Sequence, residues 1–150
     1  MPQSLAQILV HWIFSTKNRE PILSDDVRRE LHPYLATILK GMNSPAILVN
    51  SVEDHAHILI HLSKNHALCD VIELVKKDSS KWIKTKGKSY RSFHWQNGYG
   101  AFSVSQSNVA EVVRYIEGQK EHHRTKTFQE EFRALLQKYR VPYDERYVWD

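Results

Sequence analysis

The chain has one cysteine, Cys69, in 150 residues. A lone thiol cannot build an intrachain disulfide framework, so a stapled secreted mini-domain is excluded and a reducing cytoplasm is expected. No apolar run approaches the roughly 18 residues needed to span a bilayer. The stretch Leu5 to Phe14 is apolar, but it lacks the basic n-region of a signal peptide and is interrupted by Gln7 and His11. Internal repeats and low-complexity segments are absent. What is present is ordinary for a soluble globular chain: 41% hydrophobic and 25% charged residues. The length suits a single domain over residues 1–150 with a core of its own. A formal net charge of +4 fits a nucleic-acid partner without requiring one.

Leu5 to Ser15 reads as a first strand by β-propensity, followed by a polar loop at Lys17–Pro21. Ser24 caps a helix with Asp25 and Asp26 in its first turn and an apolar stripe of Val27, Leu31, Tyr34, Leu35 and Ile38. Pro33 is a place for a kink in it. Two strands, Ala46–Val52 and His55–Leu62, are joined by a short Glu53-Asp54 turn and are expected to pair antiparallel. A second helix is predicted over about Ala67–Ile83, and a short strand over Ala101–Val104. Asn108 with Glu111, and Thr127 with Glu130, have the spacing of capping boxes opening two further helices. The order strand, helix, strand, strand, helix, strand, then helices is that of an α+β, ferredoxin-like sandwich with a C-terminal helical addition.

The most informative stretch is Asp54-His55-Ala56-His57-Ile58-Leu59-Ile60. Side chains alternate on a strand, so His55 and His57 share one face while Ala56, Ile58, Ile60 and Leu62 make a core face. Residues two apart lie roughly 6.5–7 Å apart at Cα, and two imidazoles can converge from there on a divalent ion. The alternative is a pair of hydrogen-bonded histidines with no metal. His61 shares the face but lies about 13 Å from His57 along the strand, too far for joint ligation without a bend. Further on, Tyr115-Ile116-Glu117-Gly118-Gln119 puts Tyr115 and Gln119 one helical turn apart. A phenol with a pKa near 10 needs a metal, a base or a matched substrate to act as nucleophile. A neutral amide oxygen from Gln119 would suit Mg²⁺ or Mn²⁺ better than Zn²⁺. Tyr115 can equally be a helix-flank tyrosine making one hydrogen bond.

These motifs, with Ser15-Thr16-Lys17, Arg19, Trp95-Gln96-Asn97-Gly98-Tyr99, Ser103-Val104-Ser105 and Tyr143-Asp144-Glu145-Arg146-Tyr147, carry a resemblance across nearly the whole chain. The sequence resembles the single-tyrosine HUH transposases of the IS200/IS605 group. The resemblance implies that Tyr115 is the nucleophile and that His55, His57 and Gln119 hold Mg²⁺ or Mn²⁺. It further implies a homodimer in which the tyrosine works in cis or in trans. The implied reaction binds subterminal hairpins in single-stranded DNA, cleaves to a 5′-phosphotyrosine and a free 3′-OH, and rejoins ends. Gly118 loosens the tyrosine helix by roughly 1 kcal/mol relative to alanine.

Lys17, Arg19, Lys81, Lys84, Lys86 and Lys88, with Lys76 and Lys77, are candidates for tracking a phosphate backbone, against the alternative of a solvated surface. Trp95 and Tyr99 can stack on unpaired bases, or Trp95 can plug the core. His122-His123 complement the dipole at a helix end. Other readings are a host-repurposed, repeat-associated tyrosine nuclease of the same fold, a metallohydrolase using bound water, and a catalytically silent nucleic-acid-binding module. Flanking hairpins, a covalent protein–DNA species and sensitivity to chelators respectively discriminate them.

Overall fold

The computed structural model describes residues 2–150. Four antiparallel strands, β1 (Leu9–Ser15), β2 (Ala46–Ser51), β3 (His55–His61) and β4 (Gly100–Val104), form one sheet in the order β2-β3-β1-β4. Helices α1 (Asp25–Gly41) and α2 (Leu68–Lys84) cover one face, giving the ferredoxin-like sandwich that the element order implies. The opposite face is covered by α3 (Val109–Glu117), α4 (Gln119–His122) and α5 (Phe128–Lys138).

Period-2 alternation assigns side chains to these faces. Val10, Trp12 and Phe14 of β1 and Ala56, Ile58 and Ile60 of β3 pack with Leu31, Leu35 and Leu39 of α1 and Val71, Ile72 and Val75 of α2. On the other face, Ile13 and Phe102 meet Phe128, Phe132, Leu135 and Leu136 of α5. Leu9, Leu59 and Val104 meet Ile116 of α3. With both faces covered, all seven residues of β1 are buried, which explains why its sequence alternates only loosely. The register pairs His57 with Ile13 and His55 with Ser15, so both histidines point toward the C-terminal helices.

Several local expectations change. β1 starts at Leu9, not Leu5, which is 87% exposed, because its ladder to β3 runs only from Leu9↔His61 to Ser15↔His55. α1 passes through Pro33 as one helix. Ser24 accepts from Val27 N–H, and the Thr127–Glu130 capping box forms. The Asn108 box does not form. Asn108 ends a 3₁₀ turn (Gln106–Asn108) with φ −101° and ψ 0°, outside the extended conformation in which a cap accepts from the third residue on. At Gly118 the tyrosine helix breaks into α3 and α4.

Candidate metal and tyrosine site

The two strand histidines are fully buried beneath α3, α4 and α5. Each ring is held from behind at Nδ1. Asp54 Oδ1 lies 2.7 Å from His55 Nδ1, and His11 Nε2 lies 2.8 Å from His57 Nδ1. His11 is two residues from Ile13 on the same face of β1, so the sheet itself supplies this support. Outer partners of this kind fix the tautomer and ring angle of a metal ligand. Burial, with the neighbouring His57, lowers the His11 pKa to about 3, so it stays neutral and can accept from His57 Nδ1–H. Both Nε2 atoms then face the helices.

What they face is Glu131, a carboxylate on α5 only 1% exposed. Its Oε1 lies 3.2 Å from His55 Nε2, 3.2 Å from His57 Nε2 and 3.1 Å from His123 Nε2. Ligand atoms of His55, His57 and Glu131 fall within 4.8 Å of one another. Gln119 Oε1, also buried, lies 3.3 Å from His55 Nε2 and 3.0 Å from His123 Nε2. Two imidazole nitrogens, one carboxylate oxygen and one amide oxygen therefore converge, a mixed set that fits a divalent cation. Tyr115, one turn before Gln119, donates its hydroxyl hydrogen to Glu131 Oε2.

Electrostatics follow from this packing. Burial opposes charge on Glu131, yet hydrogen bonds from His123 and His55 outweigh it and hold the carboxyl far below its ordinary range. Burial would also depress His55, but Asp54 and Glu131 raise it to about 9. His57, completely enclosed, is lowered by desolvation. Burial and the adjacent Glu131 charge push the Tyr115 phenol well above its usual value. Without a cation, tyrosine is locked as a hydrogen-bond donor.

The structure thus brings His55, His57, Tyr115 and Gln119 together within one chain. It leaves His61, at the far end of β3, outside the group of converging ligands among the described residues. His123 joins the cluster rather than serving only as a dipole partner. Glu131 is the residue that reading the sequence misses. It occupies position 131 of a stripe whose other members, Phe128, Phe132, Leu135 and Leu136, are apolar and buried. An acid inside an apolar stripe is the available signal.

The basic candidates are not at this site. Lys81 and Lys84 belong to α2, across the sheet from the histidines, and Lys86 and Lys88 follow it. Lys84 donates to Ser80 Oγ at 3.0 Å, and Lys86 pairs with Glu30 at 2.8 Å over the Trp82 ring. Lys76 is engaged internally, donating to the carbonyls of Gln96 at 2.9 Å and Gly98 at 2.5 Å. Lys17 is exposed, whereas the Arg19 guanidinium sits over Trp149. Trp95 plugs the core and donates to Ser79 Oγ at 2.9 Å.

A ferredoxin-like sheet with two inward histidines and a helix-borne tyrosine over them has the fold of tyrosine transposases of known structure. The family described as "Transposase IS200 like" matches residues 4–119, and the chain belongs to it. It is therefore a member of a family of DNA-cleaving and DNA-transferring enzymes. The ISDra2 transposase TnpA of Deinococcus radiodurans is 25% identical over 118 residues, covering 75% of this chain and 84% of that protein. A crystal structure assigned as a transposase from Deinococcus radiodurans R1 superposes with a TM-score of 0.62 at 23% identity, covering 79% of this chain and 98% of that one. A REP-associated tyrosine transposase bound to a REP hairpin gives a TM-score of 0.62 at 13% identity, covering 82% and 73%. The family match ends at Gln119, so His123 and Glu131 lie beyond it. No helix among the described residues is long and apolar enough to cross a membrane.

Proposed function

We propose that the protein is a metal-dependent, single-tyrosine transposase that cuts and rejoins single-stranded DNA through a 5′-phosphotyrosine link. The observation that carries this reading is the Tyr115–Glu131–histidine constellation: the tyrosine hydroxyl and both strand histidines share one carboxylate. His55, His57 and Gln119, joined by Glu131, would hold Mg²⁺ or Mn²⁺, which when bound polarises a phosphodiester.

Tyr115 oxygen attacks phosphorus, the P–O3′ bond breaks, and the departing 3′ oxygen takes up a proton from solvent to become a free 3′-OH. The phenolic proton has Glu131 Oε2, its hydrogen-bond partner, as the nearest acceptor. Because one phosphoester replaces another, rejoining by a 3′-OH needs no nucleotide cofactor. Asp54 and His11 orient the two imidazoles.

Hairpin-bearing single-stranded DNA is the proposed substrate, in keeping with the family and with a structural neighbour bound to a REP hairpin. Exposed Lys17, Lys81 and Lys88, with Arg19, Lys84 and Lys86, are proposed backbone contacts away from the chemistry. The whole chain is proposed to act as one cytoplasmic domain and to dimerise; a sedimentation mass of one chain, with or without hairpin DNA, would remove the dimer.

The test is denaturing electrophoresis after mixing the protein with labelled single-stranded DNA from the hairpins flanking its gene and Mn²⁺. The expected result is a covalent protein–DNA band, lost in Tyr115→Phe and with EDTA. Cleavage without that band, or a band that survives Tyr115→Phe, overturns the reading.

A further inference from the structure

Between α3 and α5, over β1 and β4, lies a cavity of about 320 Å³ that the chemistry above leaves unused. Tyr115, Glu131 and His11 form its inner wall, so it opens directly onto the nucleophile. Val112 and Leu135 make it apolar, and Tyr139, stacked on Phe102 at 4.6 Å between ring centroids, adds an aromatic edge. Asn108 and Glu111 supply an amide and a carboxylate at its lining, and the Asn108 side chain makes no capping hydrogen bond to α3. Lys126 and Lys138 also line it, both exposed and neither in an ion pair among the described residues.

We propose that this cavity is a binding site for one unpaired nucleoside, the one on the 3′ side of the scissile phosphate, which stays attached to Tyr115 after cleavage. The inference rests on the tyrosine-transposase reading and deepens it. The volume lies at the low end of roughly 300–1,000 Å³ for small-ligand pockets, enough for a nucleoside and too small for a duplex. Apolar and aromatic walls with a few polar groups are what an enzyme uses to hold a base taken out of its stack. The amide and carboxylate can read the base edge, and the two lysines suit the next phosphate.

In-line geometry selects the side of the cut. The attacking oxygen and the departing 3′ oxygen lie on opposite sides of phosphorus. The cavity is on the Tyr115 side, so it cannot receive the departing nucleoside. During the step the Tyr115 O–P bond forms and the P–O3′ bond breaks, while the P–O5′ bond to the retained nucleoside stays intact.

The test compares rates of covalent adduct formation on three versions of the hairpin-bearing oligonucleotide. One is intact, one is abasic immediately 3′ of the cut, and one is abasic immediately 5′ of it. The second protein is Ala134→Trp, an exposed α5 position lining the cavity, where a large ring fills the space without disturbing the core. In the unaltered protein the 3′ abasic site slows the adduct by about tenfold or more, the scale of one lost base stack, and the 5′ site slows it less. Ala134→Trp slows the intact substrate similarly, becomes indifferent to the 3′ abasic site, and keeps its Mn²⁺ uptake and circular dichroism. An adduct that forms equally fast on the 3′ abasic DNA, or in Ala134→Trp, overturns the cavity assignment and leaves the transposase reading intact. Absence of any adduct with the intact DNA overturns both.

Discussion

The Tyr115 hydroxyl and the His55 imidazole are joined through the two oxygens of one carboxylate. Glu131 Oε2 accepts from the tyrosine, and Oε1 lies 3.2 Å from His55 Nε2. The proposed nucleophile and the proposed metal ligands are therefore not independent groups. A residue on α5 sets the position of one relative to the other.

Removing that carboxylate should separate the two functions. Glu131→Gln keeps the shape and an acceptor for Tyr115 but removes the charge that balances the buried histidines. Its expected Mn²⁺ affinity falls by about tenfold or more, read by isothermal titration, with adduct formation falling at least in parallel. Glu131→Ala additionally removes the hydrogen-bond partner of Tyr115 and one of the two carboxylates around the buried His55, and should lower stability by about 1–3 kcal/mol in denaturant unfolding. Unchanged Mn²⁺ binding in Glu131→Gln would remove Glu131 from the ligand set.

Much of this arrangement is visible in the sequence, and the reason is period. His55 and His57 declare themselves because a two-residue repeat on a strand fixes a shared face, and Tyr115 with Gln119 because four residues make a helical turn. The sandwich is legible for the same reason, through alternating and helical apolar patterns. Glu131 is 74 positions from His57, and no local period links them. An acid in the first turn of a capped helix also has an ordinary explanation in the helix dipole. Asn108 fails differently. Its spacing to Glu111 is right, but capping depends on backbone angles that a preceding 3₁₀ turn alters.

The metal-free protein should lose stability as the solution turns alkaline. His55 is raised to about 9 in the folded chain, against about 6.5 when unfolded. A folded-state pKa above the unfolded value means the contribution is full below pH 6.5 and disappears as pH rises through about 9. Unfolding midpoints in EDTA should therefore fall between pH 7 and 9.5, and His55→Gln should flatten that fall. A bound cation must displace the same proton, so Mn²⁺ affinity should rise across this window. A midpoint that increases from pH 7 to 9.5 in the unaltered, metal-free chain would contradict the ion-pair geometry.

Close approach of α5 to the sheet depends on Gly100. A β-carbon there would stand 2.7 Å from Phe132 Cε2 and 2.9 Å from Ile13 Cγ2. Phe132 is the neighbour of Glu131, so relieving this clash moves the helix that carries the carboxylate. Gly100→Ala is expected to cost about 1–3 kcal/mol in thermal or denaturant unfolding, and to weaken Mn²⁺ binding as well. Unaltered stability and metal affinity would show that the ring and strand accommodate the methyl group locally.

In the folded chain α3 is anchored so that Tyr115 stands over its own histidines. Ile116, next to the tyrosine, is fully buried with Leu9, Leu59 and Val104. Asn50 Nδ2 on the edge strand donates to the Ile116 carbonyl at 2.7 Å, and Tyr115 itself is tied to Glu131. In the single chain these contacts hold Tyr115 over its own histidines, so cis action is the expected arrangement; exchange of the helix with a second copy, which would re-form the same contacts across the dimer, is the alternative. Mixing Tyr115→Phe with His55→Ala, unfolded and refolded together to form mixed dimers, then reads the arrangement. In cis, each chain lacks either its nucleophile or a ligand, and the mixture should stay as inactive as its parts. In trans, mixed dimers regain one complete site, and labelled DNA would appear on the His55→Ala chain, distinguished by a mass tag. That labelled band is the result that would overturn cis action, because only that chain retains Tyr115.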